Sequence, residues 1–143
     1  MADEAAIRVS LAIRKGEIDY SSRPTMFQAD VAGAKGPVPG AVLCSTAGTN
    51  IDLSELTTPG LCRIQNLDSA NYVTVGPYDP ETATFYPMLE LLAGETFPFR
   101  LSRDLGWQYG TAAGTGTTGA ETQTLRIKAH TAACNVLVEA FEV

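Results

Sequence analysis

Apolar side chains in this chain recur at every second position, and no stretch spaces them at the three-to-four-residue interval of a helix. Ile7, Val9, Leu11 and Ile13 alternate with Arg8, Ser10, Ala12 and Arg14. Cys62 and Ile64 alternate with Arg63 and Gln65, and Val73 and Val75 with Tyr72 and Thr74. Near the C-terminus Leu125, Ile127 and Ala129 form one such series, and Val136, Val138 and Ala140 another. A pleated strand sends successive side chains to opposite faces, so each run predicts a strand with one buried face. The nearest approach to helical spacing, at 88–94, is flanked by aromatics and Pro87, which favour a strand.

Turn-forming residues punctuate these runs at intervals of about 8 to 12 residues. Lys15-Gly16 predicts a tight turn closing an N-terminal hairpin, followed after Pro24 by a short strand at 26–31. The segment 33–40 holds three glycines and two prolines in eight residues, which predicts a loop or extended arm outside any ladder. A strand is expected at 41–46, Ile51 and Leu53 share a face, and turns follow at 57–60, 66–71 and 76–81. Strands at 84–91 and 96–101 flank the Ala93-Gly94-Glu95 turn, and Phe97, Phe99 and Leu101 point one way. Pro87 and Pro98 have no N–H to donate, which places these two strands at an edge or at a bulge. From 102 to 122 the chain is dominated by small residues and reads as a long loop, so flexible segments are expected at 32–40 and 102–122. About nine short strands in a single domain spanning the chain predict an all-β fold, an antiparallel β-sandwich of jelly-roll-like form. A chain of 143 residues is long enough for a continuous core.

The formal net charge of −6, with ten basic residues scattered along the chain, argues against nucleic acid as partner, because gripping phosphates takes clustered Lys and Arg. No apolar run approaches the roughly 18 residues of a membrane-spanning helix, so no membrane is expected either. Met1-Ala-Asp-Glu is acidic where a secretory signal carries positive charge, which predicts folding in a cytoplasm. Cys44, Cys62 and Cys134 are odd in number and lack a CxxC spacing, so buried free thiols are expected rather than zinc or a disulfide.

His130 stands alone on a polar strand face, which makes neither a metal site nor a triad. Asp79, Glu81, Glu90 and Glu95 fall in turns and at outward positions, where solvated carboxylates belong. The glycine-rich run at 110–116 lacks the Lys-Ser/Thr ending of a phosphate loop. Non-enzymatic function without metal or cofactor is therefore expected. Trp107 and Tyr109, in a glycine-flanked loop, read equally as a recognition surface and as a lid on the core. With Arg100 and Arg103 beside them, and Lys35, Pro37 and Pro39 in the first flexible segment, they form the candidate partner interface.

Pro59-Gly60, Gln65-Asn-Leu-Asp-Ser-Ala-Asn-Tyr-Val-Thr-Val-Gly76, Leu91-Leu-Ala-Gly-Glu-Thr-Phe-Pro-Phe-Arg-Leu101 and Val136-Leu-Val-Glu-Ala-Phe141 together resemble a family of small tailed-phage virion structural proteins. The resemblance spans about residues 7–141 and its two central motifs are the distinctive ones. It implies a β-sandwich virion component assembled in the host cytoplasm, first of all a capsid decoration or cement protein on the outer face of the shell. A tail or head-fibre-associated protein is the alternative. The implied partners are the major capsid protein or other virion proteins and further copies of the chain, trimers among the expected forms. The residues alone also leave open a carbohydrate-binding module that uses the loop aromatics.

Overall fold

The alternating runs become strands stacked in two layers. The structure is a computed structural model that describes residues 5–31, 36–56, 59–101 and 124–142, and among these it contains thirteen strands and no helix. The first four are β1 (Ala5–Val9), β2 (Ala12–Lys15), β3 (Ile18–Ser21) and β4 (Thr25–Ala29). They are followed by β5 (Val38–Cys44), β6 (Thr49–Asn50), β7 (Pro59–Asn66), β8 (Val73–Asp79), β9 (Thr84–Phe85) and β10 (Leu89–Leu91). The last three are β11 (Thr96–Arg100), β12 (Thr124–Ala129) and β13 (Cys134–Glu142).

One sheet runs β11-β7-β13-β5 and the other β10-β8-β12-β6, with β9 also paired to β8 and every pairing antiparallel. If β9 and β10 are counted as one interrupted strand, β5 to β13 are eight strands. Their order is first-eighth-third-sixth in one sheet and second-seventh-fourth-fifth in the other. That is the order of a jelly roll, the all-β sandwich expected from the sequence. Between the layers lie Cys62, Ile64, Val73, Val75, Ile127, Ala129, Val136, Val138 and Ala140, all buried, with Ile51, Leu53 and Leu91. The cysteines behave as small hydrophobes: all three are free and buried.

The strands on either side of the 66–71 turn lie in different sheets, so that turn carries the chain across the sandwich. Four expectations are corrected. The turn expected at 76–81 begins later, because Gly76 to Asp79 continue β8. Gly76 is there because a neighbour passes over it: a Cβ at this position would lie 1.9 Å from the Tyr86 carbonyl oxygen. That neighbour, at 86–88, interrupts the strand expected at 84–91 around Pro87, while Tyr86 N–H donates to Pro77 O (2.9 Å) and Met88 N–H to Val75 O (2.9 Å). Residues 38–40, expected outside any ladder, belong to β5 and pair with β13. Pro39 is tolerated because β5 is an edge strand, as Pro98 is on edge strand β11.

The fourth correction concerns the N-terminal strands. They form the expected hairpin, but as a two-stranded ribbon outside both sheets, β1 on β4 and β2 on β3 with the turn at Gly16. The face of Val9, Leu11 and Ile13, expected to be buried, is exposed. Alternation shows that a face is apolar; it does not say what covers it.

Candidate interaction surfaces

Inward-facing Cys62, Ile64, Val138 and Ala140 leave Leu61, Arg63, Glu139 and Phe141 on the outer face of the four-stranded sheet. One row across that face is Pro39–Glu139–Arg63–Pro98, with a proline on each edge strand and an ion pair between them, Arg63 Nε to Glu139 Oε2 at 2.5 Å. The next row is Arg100–Leu61–Phe141, and Gly36 packs against the Phe141 ring so closely that a Cβ there would lie 2.6 Å from it. Ala6, Ile7 and Arg8 of the ribbon lie over these rows and enclose with them a cleft of about 350 Å³.

Two of the seven candidate interface residues fall on this face, Pro39 on edge strand β5 and Arg100 at the end of edge strand β11, and Pro37 just precedes β5; all three are exposed. Lys35, Arg103, Trp107 and Tyr109 lie outside the described residues. The cleft floor is apolar apart from Thr96 and the pair Arg63 and Glu139, which neutralise one another, and Arg8 adds a second guanidinium on the wall. Such a surface suits packing of a partner's side chains, with orientation from the charged row.

A smaller hollow of about 160 Å³ lies on the other sheet between Phe85, Lys128 and the Tyr72–His130 pair. His130 is exposed, and its ring stacks on Tyr72 at 4.3 Å between centroids. Of the four carboxylates expected at turns and outward positions, Asp79 and Glu95 bond turn backbone. Asp79 accepts from Thr82 Oγ1 (2.6 Å) and Glu81 N–H (2.9 Å), and these bonds, that of the Thr82 hydroxyl first, hold its carboxyl below the usual range. Glu95 Oε2 accepts from Leu92 N–H (2.8 Å).

The residue that sequence reasoning passed over is Asn66. It is fully buried, and its Nδ2 donates to the carbonyls of Asn71 (2.8 Å), Leu91 (3.2 Å) and Leu92 (3.2 Å), while its Oδ1 accepts from Asp68 N–H (3.0 Å). Its own N–H donates to Glu95 O (2.9 Å). Asp68 Oδ1 then accepts from Asn71 N–H (2.7 Å) and Ala70 N–H (2.8 Å), which lowers its pKa. One amide thus joins the 66–71 turn to the 92–95 turn, the centres of the two distinctive motifs. The signal was an Asn at the inward position of an alternating strand, two residues after Ile64.

Comparison of the chain with protein families, with curated proteins and with solved structures finds no match.

Proposed function

We propose that this chain is a non-enzymatic structural protein of a tailed-phage virion, a decoration or cement protein that binds the outer face of the capsid shell. The observation that carries the reading is the jelly-roll strand order, which capsid domains use as a rigid body between loops and arms that hold neighbours. Fold-level analogy alone does not choose a function. The resemblance of the 65–76 and 91–101 motifs adds to it, and those motifs are spent on turn architecture around Asn66 rather than on reactive groups. Pro37, Pro39, Arg100 and the cleft beneath the ribbon are the described surface offered to the major capsid protein, and many weak copies reinforce a shell through avidity. An acidic chain suits the outside of a shell rather than the DNA within.

The test is cosedimentation of the purified chain with shells assembled from the major capsid protein alone. Saturable binding that weakens in Arg100→Ala supports the reading. No binding to shells, with binding to glycans that is lost in Trp107→Ala, replaces it by the carbohydrate-binding alternative.

A further inference from the structure

The ribbon formed by β1 to β4 has two unlike faces. Directly opposed residues share a face, so Ile7 and Phe27, Val9 and Thr25, Ile13 and Tyr20, and Lys15 and Ile18 lie on one side. Ala6 and Gln28, Arg8 and Met26, Ala12 and Ser21, and Arg14 and Asp19 lie on the other, where Arg14 and Asp19 form an ion pair at 3.2 Å. Two residues, 10 and 11, oppose three, 22 to 24, so the ribbon carries a one-residue bulge on its return strand, at Arg23 and Pro24. Ser22 N–H donates to Leu11 O (2.8 Å), which extends the β2–β3 register by one pair, so Leu11 lies next to Ala12 on the alternate face, with Ile13.

The apolar side is covered at its base, where Ala29 is buried and Ile7 half-buried, and bare beyond it. Val9 is 49% exposed, Leu11 53%, Ile13 46%, Tyr20 53% and Ile18 60%, with Phe27 at 45%. Two strands alone are at best marginally stable in water and need a further layer against their apolar face. Among the described residues neither sheet supplies it, since these side chains stay about half exposed.

We infer that this face packs against the same face of the ribbon of a second copy of the chain. The six bare side chains offer roughly 600 Å² per copy, so two copies face to face remove about 1,200 Å² from water, the lower bound of a specific interface. Lys15, at the tip, is the one charged residue on this face, and the Arg14–Asp19 pair points away, so a two-fold contact sets apolar surface against apolar surface. Charge selects the same partner. Residues 1–31 hold four basic and five acidic side chains, whereas residues 32–143 hold six basic and eleven acidic. Two acidic bodies repel, and the nearly neutral ribbon is where copies approach at least cost. This inference stands apart from the virion reading and requires no shell.

The full chain, purified alone, tests it. Sedimentation equilibrium at micromolar concentration is expected to give at least twice the 15.1 kDa of one chain, falling to 15.1 kDa in the double variant Ile13→Lys with Tyr20→Glu. Opposite charges on that facing pair keep the ribbon strands together while removing the apolar contact. A bismaleimide cross-linker supplies a second readout that tolerates a damaged variant: Leu11→Cys is expected to yield covalent dimers and Ala12→Cys, on the opposite face, none. A monomeric wild-type chain, an unchanged mass in the double variant, or cross-linking from position 12 instead of 11 would overturn the inference. A chain that associates as described but is missing from virions overturns the virion reading alone.

Discussion

Replacing Asn66 by Ala is the sharpest single perturbation of the sandwich. The side chain lies between two turns and makes four hydrogen bonds, three donated by one amide nitrogen and one accepted from Asp68 N–H. Two amide hydrogens serve three carbonyls, so the donated set counts as about two bonds and the whole as about three. At about 0.5–1.5 kcal/mol for each, the loss is about 3 kcal/mol, and the burial of the Leu91 carbonyl moves it toward the upper end. For a chain of this size that is a fall in Tm on the order of 10 °C. Urea unfolding followed by far-UV circular dichroism, with an unchanged slope, measures it. Asn66→Asp refines the test: the shape and the bond from Asp68 stay, but an oxygen now faces the three carbonyls. Burial and those carbonyls raise the pKa of the introduced carboxyl above its unfolded value, so the variant's deficit grows as pH rises through that raised pKa and shrinks on acidification. A loss below about 0.5 kcal/mol in Asn66→Ala, the range of an ordinary surface change, would refute the reasoning.

Gly76→Ala should cost about 3 kcal/mol or more, because the new Cβ meets the backbone of residues 86–88, whereas Gly94→Ala meets nothing within 4 Å and suffers only its φ of +78°, about 1 kcal/mol; equal urea midpoints would contradict this. Burial pushes the thiols of Cys44 and Cys62 up to about 12, so a disulfide reagent at pH 8 should leave both unlabelled in the native chain and label them as it unfolds, and rapid native labelling would count against the buried core. The Asp68 carboxyl, lowered by the N–H groups of Asn71 and Ala70, adds stability that is present above its unfolded pKa and lost as pH falls through the lower folded one. Thermal melts of wild type and Asp68→Ala should therefore converge below about pH 4, and a constant gap down to pH 2 would show that the turn does not depend on that charge.

Much of the sandwich was legible in the sequence because its inner strands are buried on one face. β12 and β13 alternate without interruption, and their inward residues follow directly from period two. Which sheet a strand joins was not legible: the 66–71 turn contains the same residues whether it closes a hairpin or crosses the sandwich. Gly76-Pro77 carries the composition of a turn yet lies within β8, since the glycine answers to a neighbouring backbone that is distant in sequence. Pro39 was misleading for a related reason, because a missing N–H costs nothing on the open side of an edge strand. The ribbon shows the deepest limit. The hairpin of β2 and β3 is local and legible at Gly16, while the pairing of β1 with β4 is not, and the ribbon's exposure depends on where the rest of the chain lies. Of the candidate interface, Pro39 and Arg100 share the outer face of one sheet through strand register alone, which no local pattern encodes.

Quantitative mass spectrometry of gradient-purified particles from the source, together with cryo-imaging of the same sample, tests the proposed function most directly. The chain is expected at a fixed copy number relative to the major capsid protein, with density for a two-layered β-sandwich on the outer face of the shell. Its absence from particles that are otherwise complete, while it is abundant in the surrounding lysate, would contradict the account.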